Sequence, residues 1–534
     1  MTTGRRIRFG RIATALVVSL ALVATACGGD GSSGGNGAGG EANADADPAE
    51  VADRDGEFVF AHTFGHSSFD PHRSPNASGD SAWMRPVYDR LLTLAEDEDG
   101  SVEVAPQLAT SYEVAEDGLS VEFELRDDVT FHDGEPFNAD AVVANIERAK
   151  DPESTVSSLL EPVETVEAVD DTHVVFHLSR PYPGLIYSLA ADTIGMMISP
   201  AAFDTDLATH PVGAGPFTLV SAQRDGDVVY ERWEDHWDED AALVSRLTIT
   251  TVSDANARLN GVRTGEYDAG YMSNPLDLQS RELEDEGFHW VNELAPITIG
   301  VLFNTNEPPF DDVDVRRAVS MALNRSEISE ELLGGIAPPV YQPFPEGYLG
   351  FDPDIDEDPY DPEAARDLIE QAGADGTSVR LLTMTTPPYD SIAQIAQQAL
   401  GDIGLEVEIE PVSPTVGIPT WMEGGHAAYI GTILAEPEPS LTLGRSYLGS
   451  HNLGEPPAEL VEMAEEADAL PLGSDEREAA YQEISAFLQE NPIHLPLIQF
   501  STVVLARPEV VGAEHMVKVV IGKLDFRGVG VTES

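Results

Sequence analysis

The chain of 534 residues holds a single cysteine, Cys27, so no disulfide can form within it and no mixed cysteine and histidine metal site can be completed. Basic residues are also scarce. Lysine and arginine number 29 against 95 aspartates and glutamates, for a formal net charge of −66, and lysine stands only at positions 150, 518 and 523. So acidic a surface repels nucleic acid and anionic headgroups. Dense carboxylates keep a protein hydrated in salty surroundings, where salt screens their mutual repulsion. Catalytic signatures are missing as well: there is no G-x-S-x-G elbow and no H-E-x-x-H. Gly213-Ala214-Gly215-Pro216 lacks the lysine and hydroxyl of a phosphate cradle and reads as a turn crossing between lobes. His62/His66 and His173/His177 each place two rings on one face of a strand, where metal binding is conceivable, but such histidines are more often edge or core residues, and neither a metal nor a cofactor is expected. Pairs of carboxylates need no catalytic explanation in a chain with 95 of them. Nothing points to an enzyme.

At the amino terminus, Arg5, Arg6, Arg8 and Arg11 precede an apolar run over residues 12–26, the pattern of a secretory signal rather than a spanning helix. Ala24-Thr25-Ala26-Cys27 resembles a bacterial lipobox, with Ala24 where leucine is more usual. Residues 1–26 are therefore expected to be removed, and Cys27 to carry acyl chains that anchor the protein to the outer face of the membrane. Residues 27–56, rich in Gly, Ser and Asp, have almost nothing to bury and are expected to form a flexible tether with a reach of about 30 Å. The length that remains exceeds what one hydrophobic core supports, so two or three compact units follow.

From Glu57 the pattern is α/β. Strands are expected at 58–61, 174–178 and 228–230, and helices at 313–323, 362–372, 391–400 and 475–489. The most informative stretch runs from Leu125 to Pro152. Before it, Val121, Phe123 and Leu125 alternate with Glu122, Glu124 and Arg126, as in a strand with one buried face. His132-Asp133-Gly134-Glu135-Pro136 makes a polar turn, and Asn138 stands as N-cap of a helix over 139–150.

That unit resembles the signature of the family 5 extracellular solute-binding proteins of ABC importers, a group that includes dipeptide, oligopeptide and nickel binders. Phe69-Asp70-Pro71-His72, Val87-Tyr88-Asp89-Arg90-Leu91-Leu92, residues 106–112 and 116–119, the turn 212–217 and the run 304–318 resemble further family motifs, so the likeness covers residues 57–534. It implies a class II periplasmic-binding-protein fold: two α/β lobes joined by crossing strands, with a subdomain inserted into the first. Lobe I would take 57–105, 211–295 and 497–534, the inserted subdomain 106–210, and lobe II 296–496. It also implies a monomer that captures a small extracellular solute, foremost a di- or oligopeptide, by hinge closure and delivers it to a permease and ATPase. Two other functions stay open: the same fold holding a sugar, a metal chelate or an opine-like compound, and a ligand-sensing receptor without transport.

The resemblance also directs attention to residues 429–440. In peptide-binding relatives an aspartate of this region pairs with the ligand's ammonium. Aligning Glu438-Pro439 on the family's acid-Pro pair makes Glu438 a candidate ligand contact, puts Ala435 at the aspartate's position and leaves Glu436, one residue on, as the candidate for the ammonium. Arg445 is the candidate for a ligand carboxylate. Trp83, Trp421, Tyr429 and Tyr447 are candidate ring walls, and His66 and Ser67, following the first strand, candidate edge groups.

Overall fold

The computed structural model describes residues 47–96, 102–272, 276–355, 357–449, 451–518 and 523–533; Cys27 and the signal segment lie outside them. The last ten residues of the expected tether, 47–56, do not hang free. Asp47 caps a short helix, Pro48–Val51, Arg54 binds Asp240 at 2.6 Å, and the Asp53 amide donates to the Val531 carbonyl. A charged side chain with a partner and a backbone pairing hold this stretch against lobe I in spite of its composition.

Ten strands form one continuous sheet in the order Glu406–Val412, Ser378–Met384, Ala428–Leu434, His289–Phe303, His494–Ala506, Ala269–Met272, Glu57–His62, Arg246–Thr251, Asp227–Arg232 and Phe217–Ala222. The two long strands at its centre, His289–Phe303 and His494–Ala506, run antiparallel and belong to both lobes. Residues 289–294 pair with 501–506 beside lobe I, and 297–303 pair with Ala428–Leu434 beside lobe II. Register breaks between Leu294 and Thr298, where Gln499 Nε2 donates to the Ala295 carbonyl at 3.2 Å. Such a break is where a sheet bends at least cost.

Among the described residues three separate apolar cores follow from this arrangement. Lobe II packs the helices Val313–Ala322, Pro362–Ala372, Tyr389–Asp402 and Asp475–Glu490 against its strands. Pro362 stands at the first helical position with Asp361 as N-cap, so the spacing and the capping residues together set that boundary. The inserted subdomain folds a four-stranded antiparallel sheet against the signature helix, Ala139–Ala149. Val121, Phe123 and Leu125 are buried in it while Glu122 and Glu124 face solvent, and Asn138 Oδ1 accepts from the Ala141 amide at 3.0 Å.

Candidate functional site

The legible motifs join parts of the fold to one another. In the signature helix, Arg148 donates two hydrogen bonds, of 2.9 and 2.6 Å, to Asp70 of the Phe69-Asp70-Pro71-His72 motif. Both side chains are about nine-tenths buried; burial works against the Asp70 charge, but Arg148 outweighs it and holds the carboxyl below its ordinary range. His132 of the signature turn donates from Nε2 to the Gly215 carbonyl at 2.9 Å and accepts at Nδ1 from the Gly213 amide. Gly213 and Gly215 lie so close to the Val87 backbone that a Cβ on either would stand 2.2 or 2.5 Å from it. The glycine turn was expected to cross between lobes; instead it returns the chain from the subdomain to the lobe I strand Phe217–Ala222, and glycine is required there for close backbone approach. Asp89 is fully buried and receives the Trp237 Nε1 proton at 2.7 Å, His236 at 3.2 Å and Arg527.

Of the two histidine pairs, His173 and His177 sit beside Asp170 and Glu167 on the subdomain surface. His62 and His66 belong to an aromatic cluster at the end of the first lobe I strand. The His62 ring lies 4.4 Å from Trp83, 4.6 Å from Phe64 and 5.8 Å, stacked, from Tyr271, and His66 packs on Phe69 at 4.5 Å. Burial pushes the His62 pKa down to about 4, so the ring is neutral, and burial lowers His66 as well. Tyr271 borders a small cavity of about 50 Å³ at the hinge, closed from lobe II by Pro387 and Pro388 and from the crossing strands by Ile299 and Phe500. In the same cluster Thr63 Oγ1, His66 Nδ1 and Trp83 Nε1 are buried without a hydrogen-bond partner among the described residues. Buried polar atoms in proteins are nearly always paired, so these three set this part of lobe I apart from an ordinary core. Phe64 is half exposed beside them. Ser67 is committed elsewhere: its amide and hydroxyl both donate to Asp80, which also receives Ser74 Oγ at 2.6 Å and so organises the whole loop.

The lobe II loop after the strand Ala428–Leu434 meets the inserted subdomain. Glu436 Oε1 stands 3.3 Å from Arg445 Nη1, and Arg445 Nη2 stands 3.2 Å from Asp192 of the inserted subdomain. One guanidinium thus joins two carboxylates across the gap between the bodies. Burial works against the Arg445 charge, but Asp192 and Glu436 prevail and raise its pKa above the ordinary value. Asp192 carried no sequence signal; it ends the helix Gly184–Ala191, and only the chain path sets it opposite Arg445. Close by, Leu441 packs on Gly184, so the lobe II loop touches the subdomain directly.

Four sequence candidates do not reach this gap. Glu438 is fully buried, caps the helix Pro439–Thr442 through the Ser440 amide and pairs with Arg477 at 2.5 Å. Trp421 donates from Nε1 to the His451 carbonyl and stacks on Tyr429 at 6.0 Å, both inside the lobe II core. Tyr447 is buried against His494 at 5.5 Å. Large rings fill the space between helices and sheet first, and nothing in residue type marks which ring is left for a cleft.

The sequence profile described as bacterial extracellular solute-binding proteins, family 5 Middle, matches residues 103–454. Di/tripeptide-binding protein 2 of Pseudomonas aeruginosa is 31% identical over 373 residues, covering 64% of this chain and 69% of that protein. The Helicobacter pylori periplasmic binding protein DppA, solved with the peptide STSA, superposes with a TM-score of 0.76 at 23% identity over 90% of this chain and 99% of its own. NikA from Brucella suis, solved with Fe(III)-EDTA, gives 0.77 at 23% identity over 90% and 100%. The two lobes, the crossing strands and the inserted subdomain are those of the periplasmic binding proteins, and the chain belongs to the bacterial extracellular solute-binding proteins of family 5.

Proposed function

We propose that the protein is the solute-capturing component of an ABC importer, held at the outer face of the membrane through a lipid on Cys27, and that it closes its lobes over a di- or oligopeptide for delivery to a permease and ATPase. The observation that carries the peptide reading is the cluster of Asp192, Arg445 and Glu436. A short peptide has an ammonium at one end and a carboxylate at the other. The cluster offers a complement to each between the two bodies, so the ligand's ends exchange with existing ion pairs and need not bring unpaired charge into a poorly hydrated space. The relative from Pseudomonas, named for di- and tripeptides, points the same way.

Calorimetric titration with a tripeptide and its N-acetylated form tests this. The free amine should bind, and either acetylation or Glu436→Gln should weaken binding by roughly 10- to 100-fold, the worth of one charge-assisted contact. Equal affinity for both forms would sink ammonium recognition. A second reading is a non-peptide solute, such as a metal chelate or an opine-like compound. Ala435 at the place of the family's amine-binding aspartate favours it; tight binding of a ligand without an ammonium would select it.

A further inference from the structure

Away from the hinge, a cavity of about 660 Å³ lies between the inserted subdomain and lobe II, a volume that suits a small organic ligand. Val121, Leu178 and Ile186 form its subdomain wall, and Leu470 and Leu472, in the turn between the helices Ala458–Asp468 and Asp475–Glu490, face them. None of its lining residues lines the small hinge cavity, and neither Asp192, Arg445 nor Glu436 lines the larger one, although Tyr182 on its subdomain wall stands within electrostatic reach of Arg445 and Asp192. On the lobe II wall the ionisable side chain is Asp468, about one-fifth exposed.

The surroundings of Asp468 are short of positive charge. Arg477 lies 4.0 Å away, but its Nη2 is committed to the fully buried Glu438 at 2.5 Å. One guanidinium therefore serves two carboxylates, and Glu438 Oε2 is buried with no hydrogen-bond partner among the described residues. Tyr481 donates its hydroxyl proton to Asp468 Oδ1, which orients the carboxyl and adds no charge. Burial, first of all, pushes the Asp468 pKa up to about 6; the Tyr481 hydrogen bond and Arg477 pull it down, and Glu438 pushes it further up. From the subdomain the charged groups near it are Arg180, which lowers its pKa, and Glu116, which lines the cavity.

We propose that this cavity is a second ligand site, separate from the hinge cleft, for a small apolar amine whose ammonium pairs with Asp468 and whose carbon skeleton fills the space between Ile186 and Leu472. An anion would add to a local excess of carboxylate, and a neutral hydrocarbon would leave the Asp468 charge without a new partner. Because the two walls belong to different bodies, the contacts exist only when the subdomain and lobe II are together. Occupancy therefore favours the closed form and couples to binding at the hinge.

The test uses the full chain, with phenethylamine as probe and 2-phenylethanol as its uncharged counterpart, followed by calorimetry. Asp468→Asn keeps an acceptor for Tyr481 and is expected to remain folded, while Leu472→Trp fills the cavity. Phenethylamine should bind at about pH 8, where Asp468 is ionised, and 2-phenylethanol and Asp468→Asn should each weaken binding by about tenfold or more. Leu472→Trp should abolish it, with peptide affinity in Asp468→Asn unchanged. Undiminished binding in both variants, displacement of phenethylamine by a hinge-cleft ligand, or no binding by wild type up to about 10 mM overturns the proposal.

Discussion

Arg148 and Arg445 each tie the inserted subdomain to another part of the molecule, and they do it differently. Arg148 meets one carboxylate, Asp70, through two bonds with both side chains about nine-tenths buried. Arg445 is 29% exposed and divides itself between Asp192 and Glu436, at 3.2 and 3.3 Å. A bidentate, dehydrated pair is a permanent joint, since either partner alone would be a buried charge. A shared guanidinium at longer distance, still touching water, can be released when the lobes part. The joint of the subdomain to lobe I and its contact with lobe II are thus made from the same residue types, and burial decides which is fixed and which is reversible.

Removing the permanent joint should have the largest effect. Arg148→Ala leaves Asp70 buried without its partner and should cost about 3–5 kcal/mol, read as a lower urea midpoint; an unchanged midpoint would erase the distinction drawn between the two arginines.

A pH series sharpens the same side of the comparison. Burial lowers the His132 pKa to about 4, with the Gly215 carbonyl opposing. The unfolded chain takes up a proton on this ring below about 6.5 and the folded chain does not, so the stability His132 supports is complete above that pH and is lost as pH falls toward 4. His132→Gln, which cannot be protonated, should reduce the stability lost across this interval by about 3 kcal/mol, measured as melting temperature against pH for both proteins. Superimposable profiles would show that His132 does not titrate between the two states.

The smallest stability change belongs to the reversible contact. Arg445→Ala should shift stability by under about 1 kcal/mol, yet raise the radius of gyration in small-angle scattering by weakening the closed form. A large loss of stability with no change in scattering would make Arg445 a structural joint like Arg148.

The legibility of the chain follows the same division. The signature stretch was readable because its demands are local: alternation buries Val121, Phe123 and Leu125, Asn138 caps the helix, and the helix boundaries 313, 362 and 475 stand as the spacing and caps require. Pairings such as Asp70 with Arg148, or His132 with Gly215, are invisible in the sequence because they join positions 78 and 83 residues apart. Glu436 and Arg445, singled out by their place in a loop, pair with each other, and His66 packs near Trp83 in the lobe I aromatic cluster. Trp421, Tyr429 and Tyr447 instead fill the lobe II core, Glu438 serves Arg477, and Ser67 serves Asp80.

What the sequence determined by itself is the family, the α/β character and the local elements, because short-range patterns of burial and capping are written in neighbouring residues. What the tertiary structure alone decided is which charged and aromatic side chains stay available to a ligand. A carboxylate in the sequence is only a potential partner; Asp192 and Asp468 acquire their roles from the guanidinium and the apolar walls that distant segments fold around them.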